Sequence, residues 1–147
     1  MKLTEHFSLE EMTRTSHRTA DGNQPGAREQ ANLLRVCRWL ERLRSEWNRR
    51  YGDGDDPVVV TSGYRSAAVN RAVGGSATSN HLTGSAADIR VYGMEQLLRY
   101  AVIILDISDE TGEDFDELLL EKRGRTTWLH FAVREQGNRR KVSIINI

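Results

Sequence analysis

The sequence predicts an α+β fold, a single domain in which helices flank an antiparallel sheet. Segments with helical periodicity lie mostly in the first part of the chain, and segments typical of strands lie mostly in the last part. The length of 147 residues suits one hydrophobic core, and neither a repeat nor a linker divides the chain. We therefore expect residues 1–147 to form one domain.

The first two helices are predicted from a cap and from a periodic apolar pattern. Ser8 stands three residues before Glu11 as in a capping box, and Phe7 and Met12 stand where a hydrophobic staple would place them. A short helix is expected to begin there. A long helix is expected from about residue 28 to residue 50, because apolar residues recur there at helical spacing: Leu33, Val36, Cys37, Leu40, Leu43 and Trp47.

The remaining elements are predicted from their composition and their flanking turn residues. Two helices are expected, a short one in "SAAVNRAVGG" (66–75) that a glycine pair ends, and a longer one in "MEQLLRYAVIILDIS" (94–108). Five segments are typical of strands, the first of which runs into a loop: "VVVTSGYRS" (58–66), "ADIRVY" (87–92), "FDELLLE" (115–121), "TTWLHFAVR" (126–134) and "KVSIINI" (141–147).

Composition excludes several classes of protein. The 21 basic and 21 acidic side chains cancel, so the chain lacks the overall positive field expected of a nucleic-acid-binding protein. The single cysteine, Cys37, excludes an intramolecular disulfide and a multi-cysteine metal site, and its place in the helical pattern predicts a buried hydrophobe. No apolar run has the length of a membrane span. We expect a monomer that does not insert into a membrane.

The N-terminal stretch "MKLTEHFSLEEM" has no hydrophobic signal region. The sequence therefore predicts a protein made in soluble form without a signal peptide. Such a protein would be cytoplasmic or would reach the cell wall by a separate route.

Two of the four histidines stand where a functional role is plausible. His81 lies in "SNHLTGSAAD" among residues too small to form much of a core, and Asp88 ends that stretch. In "TWLHFAV", strand alternation places His130 beside Trp128 and away from the apolar side chains. Two imidazoles and a carboxylate, with a position left for water, are a common composition of catalytic zinc sites. Taken one at a time, such histidines are more often structural, and His17 is predicted to be a loop residue without a role.

Several separated motifs resemble the M15 metallopeptidases: "SGYRS" (62–66), "VGG" (73–75), "SNHLTGSAAD" (79–88) and "WLH" (128–130). That family has the signature Ser-x-His-x-x-Gly-x-Ala-x-Asp followed by Trp-x-His, and each fixed position is met here. The stretches "HFSLEEMTRTS" and "GNRRKV" resemble its small single-domain branch from bacteria and prophages. The family contains zinc D-Ala-D-Ala carboxypeptidases, the D-Ala-D-Ala dipeptidases of vancomycin resistance and L-alanyl-D-glutamate endopeptidases of phage endolysins. The hedgehog amino-terminal domain shares its fold and zinc site.

The resemblance implies a hedgehog-like fold and a zinc peptidase that acts on peptide stems of peptidoglycan or on muropeptides. His81, Asp88 and His130 would bind Zn²⁺, and Arg65 would engage a substrate carboxylate or the polarised scissile carbonyl. A carboxypeptidase is the favoured reaction, and an L-Ala-D-Glu endopeptidase stays open. The same motif blocks would supply residues that line the substrate pocket: Tyr64, Ser79 and Trp128.

The general base is where the chain departs from one form of the family. Many members carry an acidic residue three positions before the last histidine, where this chain has Thr127. Another branch places the acid in a pattern that "FDELLLE" resembles, and this points to Glu121. Glu117 shares the predicted strand face and is the rival. Without a base, the chain would be a catalytically lapsed, hedgehog-like zinc-containing binding module. The basic cluster "GNRRK" is predicted to be a solvated turn.

Overall fold

The structure is a computed structural model that describes all residues, 1–147. The chain forms four α-helices, one 3₁₀ helix and five strands. In chain order the elements are α1 (Leu9–Met12), α2 (Ala27–Arg50), β1 (Val60–Ser62), α3 (Ala67–Ala72), the 3₁₀ helix (Asn80–Thr83), β2 (Ala86–Arg90), α4 (Met94–Thr111), β3 (Glu117–Arg123), β4 (Thr126–Ala132) and β5 (Lys141–Asn146). The predicted α+β class is confirmed, and each predicted helix and strand is present.

The five strands form one sheet in the order β1-β2-β4-β3-β5. The first four strands pair antiparallel as predicted, but β5 pairs parallel with β3, so the sheet is mixed. The reason lies in the path of residues 133–140. They leave β4 beside Glu117, cross the start of β3 and enter β5 on the free side of β3. Arg140 donates its backbone N–H to the carbonyl of Phe115 during this crossing, at 2.8 Å.

The sheet has one face covered by the long helices, here called the helix face. Paired residues of neighbouring strands point to the same side, and the pairs Leu118–Phe131 and Leu120–Leu129 belong to the buried core. The helices α2 and α4 pack on this side. The opposite face, here called the site face, therefore carries the alternate residues of each strand, among them Asp88 and His130.

Packing of α2 against the sheet and α4 depends on two tryptophans. Trp39 contacts Phe131 with ring centroids 5.3 Å apart, and Trp47 meets the ring of Tyr100 on α4 edge-on at 5.1 Å. Cys37 is buried in the same helix as predicted, and burial raises the pKa of its thiol to about 12. The apolar residues that recur at helical spacing in α2 are thus the ones that form its buried face.

Most element boundaries agree closely with the predicted ones, but in the predicted segment 58–66 only Val60–Ser62 forms a strand. Ser8 caps α1 by accepting the backbone N–H of Glu11, at 3.1 Å. The helix α4 continues three residues beyond the predicted end at 108, to Thr111, where Gly112 ends it in a left-handed conformation. None of the helices is long and apolar enough to cross a membrane.

Candidate metal centre

His81 is presented by the short 3₁₀ helix Asn80–Thr83. Ser79 begins this helix, because its hydroxyl accepts the backbone N–H of His81 at 3.2 Å. Gly84 ends it with φ of 74°, a conformation that glycine adopts without a steric cost. A Cβ at this position would lie only 2.6 Å from the carbonyl oxygen of Glu29, so the turn also needs the small residue for its approach to α2. The small residues of "SNHLTGSAAD" therefore give the chain the tight turn between His81 and β2.

Asp88 and His130 lie on neighbouring strands of the site face. They are direct partners in the antiparallel pairing of β2 with β4, so their side chains leave the sheet side by side. Asp88 Oδ1 is 3.1 Å from Nδ1 of His130 and 3.4 Å from Nε2 of His81. The structure thus brings together all three residues that the sequence predicts as metal ligands.

The three side chains fit a tetrahedral metal ion. Their potential ligand atoms lie within 4.8 Å of one another, His81 and His130 are buried, and the side chain of Asp88 is 13% exposed. Two ligands about 2.1 Å from one ion at a tetrahedral angle are ~3.4 Å apart, close to both Asp88–histidine distances. Two imidazoles and one carboxylate are a donor set that Zn²⁺ accepts in sites with a free coordination position.

The ring nitrogens that face away from this cluster have partners of their own. Nδ1 of His81 donates to the backbone carbonyl of Gly63 at 2.6 Å, which leaves Nε2 facing Asp88. Nε2 of His130 lies 3.0 Å from a carboxylate oxygen of Glu117, so Nδ1 is the nitrogen that faces Asp88. Both histidines therefore have one nitrogen bonded to the protein outside the cluster and one directed at Asp88 Oδ1.

Electrostatics in this cluster favour a charged Asp88. Burial alone would raise the pKa of Asp88, but the neighbouring His81 and His130 outweigh it and hold the pKa well below its usual range. Burial likewise would lower the pKa of His130, yet hydrogen bonds to Asp88 and Glu117 raise it to about 9. Asp88 is thus a carboxylate ready for coordination at neutral pH.

Arg65 lies against the same carboxylate and is held from several directions. Its guanidinium contacts Asp88 Oδ2 at 3.4 Å, Ser62 Oγ at 3.2 Å and Asn70 Oδ1 at 3.4 Å. Its backbone N–H donates to the carbonyl of His81 at 3.0 Å, which ties the "SGYRS" loop to the 3₁₀ helix. The two oxygens of Asp88 therefore face different groups, Oδ1 the histidines and Oδ2 the arginine.

A cavity of about 380 Å³ opens over this cluster. Three of the residues predicted to line the pocket or to act in it, Ser79, Trp128 and Glu121, do line it, together with Arg65 and the three predicted ligands. Tyr64 does not. It is 9% exposed and faces a neighbouring cavity on the far side of Arg65, which His17 also lines.

Of the two candidate bases, Glu121 is the one in the cavity. Its Oε1 lies 3.6 Å from Nδ1 of His130, the nitrogen on the metal side, whereas Glu117 contacts the opposite nitrogen. Burial, reinforced by Asp88 and Glu117, raises the pKa of Glu121 despite the neighbouring His130. Thr127 pairs with Lys122 and lies three positions before His130 on β4. Because side chains alternate along a strand, it points to the helix face.

Sequence reasoning missed Asn80, which is buried behind the metal cluster. Its amide nitrogen donates to Glu117 at 2.7 Å and to Asp116 at 2.8 Å. Arg139 of the basic "GNRRK" stretch pairs with the same Asp116, with Nη2 and Oδ2 2.8 Å apart, so this stretch is more than the solvated turn that was predicted. No local pattern signals these contacts, because Asn80 and Asp116 are 36 residues apart in the chain.

Comparison with known proteins identifies relatives of this chain. The chain is 34% identical over 84 residues to the zinc D-Ala-D-Ala carboxypeptidase of Streptomyces albus G. The aligned segment covers 57% of this chain and 31% of that relative, so the chain spans about a third of its length. The family model of peptidase M15 matches residues 5–105, more than half of the chain, including His81 and Asp88. The chain belongs to the peptidase M15 family.

Proposed function

We propose that this protein is a zinc-dependent peptidase that hydrolyses the peptide stems of bacterial peptidoglycan, with a D-Ala-D-Ala carboxypeptidase type of reaction. Membership of the peptidase M15 family and the similarity to a protein named zinc D-Ala-D-Ala carboxypeptidase support it. The observation that carries the proposal is Glu121, a carboxylate without a metal-ligand role that lies in the same cavity as the three predicted ligands.

His81, Asp88 and His130 would hold the Zn²⁺ through Nε2, Oδ1 and Nδ1, the atoms that face one another. A zinc ion bound by three protein ligands supplies an acidified water and polarises the carbonyl of the scissile peptide bond. Asp88 would bind through one oxygen, because Arg65 engages the other.

Glu121 would act as the general base and then as the general acid. Its carboxylate would accept a proton from the attacking water and pass it to the leaving amine. The Glu121 side chain is only 14% exposed, and the raised pKa that burial causes brings it nearer to the pH at which a carboxyl can both accept and return a proton. No hydrogen bond to another side chain holds Glu121, whereas Glu117 is bonded to both His130 and Asn80.

Substrate recognition would depend on the two guanidinium groups that line the cavity. Arg65 forms the wall beside Asp88, and Arg123 lies at the exposed end of β3 two residues beyond Glu121. A C-terminal carboxylate of a stem peptide is a suitable partner for such a group, because a guanidinium can pair with both oxygens. This favours the carboxypeptidase reaction over cleavage inside the stem.

The experiment that tests the proposal is mass spectrometry of purified muropeptides after incubation with the protein and Zn²⁺, with and without a chelator. We expect chelator-sensitive loss of the terminal alanine from pentapeptide stems. Cleavage between L-Ala and D-Glu would instead identify the endopeptidase reaction. No turnover of any wall substrate by zinc-loaded protein would contradict the proposal and favour the lapsed binding module.

The assignment of the base needs a matched pair of variants. Glu121→Gln should bind Zn²⁺ as the wild type does while its kcat falls by about 100-fold or more, because the proton acceptor is lost. Glu110→Gln, an exposed change on α4 far from the cavity, should leave kcat unchanged. Wild-type turnover by Glu121→Gln would contradict the assignment.

A further inference from the structure

Glu117 is a half-buried acidic residue that the proposed reaction does not use. It lies on the site face of β3, yet it does not line the cavity over the metal cluster. Its side chain, 15% exposed, stands behind His130, with Oε1 3.0 Å from Nε2. Its carboxylate thus contacts a predicted metal ligand on the side away from the cavity.

The contact with Glu117 determines which nitrogen of His130 carries a hydrogen. An ionised carboxylate can only accept hydrogen bonds, so Nε2 of His130 must be the donor. Nδ1 faces Asp88 Oδ1 at 3.1 Å on the side of the cavity, and it is the nitrogen that would give up its hydrogen and offer its lone pair to a metal ion, because Glu117 keeps the hydrogen on Nε2. The position of Glu117 therefore selects the tautomer that can coordinate a metal at the cluster.

Asn80 holds Glu117 in this position. Its amide nitrogen donates one hydrogen to Glu117 Oε1 at 2.7 Å and the other to Asp116 Oδ2 at 2.8 Å. Its amide oxygen accepts from Nε of Arg134 at 2.9 Å. The orientation of the amide is unambiguous, because two carboxylates require donors and a guanidinium requires an acceptor.

The far end of this network is the segment between β4 and β5. Asp116 accepts from Nη2 and Nε of Arg139 at 2.8 and 3.0 Å, and from the backbone N–H of Arg139 at 3.1 Å. Hydrogen bonds therefore run from Arg139 through Asp116, Asn80 and Glu117 to His130. The residues come from four separate parts of the chain and meet directly behind one predicted ligand.

We infer that Glu117 is a positioning residue that, held by Asn80, fixes the tautomer and the ring orientation of His130 for metal binding. The inference rests on the proposed zinc site. The two histidines then differ in the group that orients them, because His81 bonds to a neutral backbone carbonyl and His130 to a carboxylate. Partners of this type commonly change metal affinity by about 10- to 100-fold when they are removed.

The test is the affinity for Zn²⁺, measured by competition with a chromophoric chelator on the full chain. Glu117→Met removes the acceptor at similar volume, and we expect its Zn²⁺ affinity to fall by about 10- to 100-fold. Glu117→Gln keeps an acceptor oxygen and should recover most of the affinity. Glu110→Met, exposed on α4, is the matched control and should bind as the wild type does. The visible spectrum of the Co²⁺-loaded protein should change in Glu117→Met and stay wild-type in the control.

A purely structural role would give a different pattern. The Tm of the metal-free protein would then be lower in Glu117→Met, while the Zn²⁺ affinity and the Co²⁺ spectrum stayed at wild-type values. This result would overturn the inference. If Glu117→Met does not fold, Asn80→Ser provides the second variant, since it removes the donor that holds Glu117. A smaller loss of affinity in that variant supports the inference, and wild-type affinity overturns it.

The same measurements separate this inference from the proposed function. A wild type that binds no Zn²⁺ would overturn both. A wild type that binds Zn²⁺ but hydrolyses no muropeptide would overturn the proposed function alone, and the affinity ratio of Glu117→Met to wild type would still decide the role of Glu117.

Discussion

The imidazole of His81 is anchored to the backbone of Gly63, with 2.6 Å between Nδ1 and the carbonyl oxygen. Gly63 can occupy this place because it has no side chain. A Cβ added at Gly63 would overlap the carbonyl oxygen of Met12 and would lie only 3.1 Å from the Cα of Met12. The same Met12 carbonyl accepts the N–H of Tyr64 at 2.7 Å, so the "SGYRS" loop is packed against the end of α1. One backbone position therefore links the N-terminal helix to a predicted metal ligand.

Gly63→Ala should consequently damage both stability and metal binding. We expect the free energy of unfolding of the metal-free protein to fall by about 1–3 kcal/mol, as for other overpacked sites. The Zn²⁺ affinity should also fall, because a shifted carbonyl no longer orients His81. Denaturant unfolding and chelator competition measure the two effects. Gly26→Ala is the control, since its Cβ meets only the flexible side chain of Glu29. Unchanged Zn²⁺ affinity in Gly63→Ala would show that the carbonyl contact does not position His81.

Sequence reasoning found the residues whose signal is local. The three predicted ligands stand in short motifs, and strand alternation alone placed His130 on the face opposite the core. These features are encoded within a few residues of one another, so a single sequence reveals them.

Features that depend on contacts between distant segments could not be predicted. The contact of His81 with the backbone carbonyl of Gly63 involves no side chain of Gly63 that a sequence pattern could indicate. Glu117 and Asn80 form a hydrogen bond although they are 37 residues apart in the chain. The parallel pairing of β5 depends on which side of β3 the segment 133–140 emerges. The residue pattern and composition of β5 would be the same on either side of the sheet. They therefore cannot distinguish a mixed sheet from a fully antiparallel one.

Removal of the metal should lower the thermal stability of the protein. A ligand that binds only the folded state stabilises it by mass action, and three buried ligand side chains offer such a site. We expect the Tm of Zn²⁺-loaded protein to fall on addition of a chelator and to recover with excess Zn²⁺. His81→Gln should show no such shift, whereas His17→Gln, in an exposed loop, should respond as the wild type does. Equal Tm values of wild type with and without chelator would contradict a zinc site.

Asp116 should make stability depend on pH in the acid range. Burial would raise the pKa of Asp116, but hydrogen bonds from Arg139 and Asn80 hold it below its usual value. A lowered pKa in the folded state means that the stabilisation is complete above the unfolded pKa of about 3.9 and is lost as pH falls through the folded value. Asp116→Asn should therefore cost about 1–3 kcal/mol near pH 7, and the difference from wild type should shrink below pH ~4.

Urea unfolding at several pH values measures this difference. Asp109→Asn is the matched control, since Asp109 is exposed and pairs only with Arg140, and it should change stability by less than about 0.5 kcal/mol. If the difference in the free energy of unfolding between Asp116→Asn and wild type persists unchanged at pH 3, Asp116 does not stabilise the fold through its charge.

Arg65→Lys tests whether the guanidinium acts on the substrate. Arg65 contacts Asp88, Ser62 and Asn70 through three different nitrogens, and an ammonium group cannot reproduce this geometry. We expect kcat/KM on stem peptides to fall by about 10- to 100-fold, the loss of one strong charge-assisted pair. A raised KM with unchanged kcat would indicate that Arg65 binds the substrate carboxylate, and a lowered kcat would indicate contact with the scissile carbonyl. Arg49→Lys, exposed at the end of α2, should leave both constants unchanged. If Arg65→Lys also retained the wild-type kcat/KM, the guanidinium would have no role in the reaction beyond its contacts to the protein.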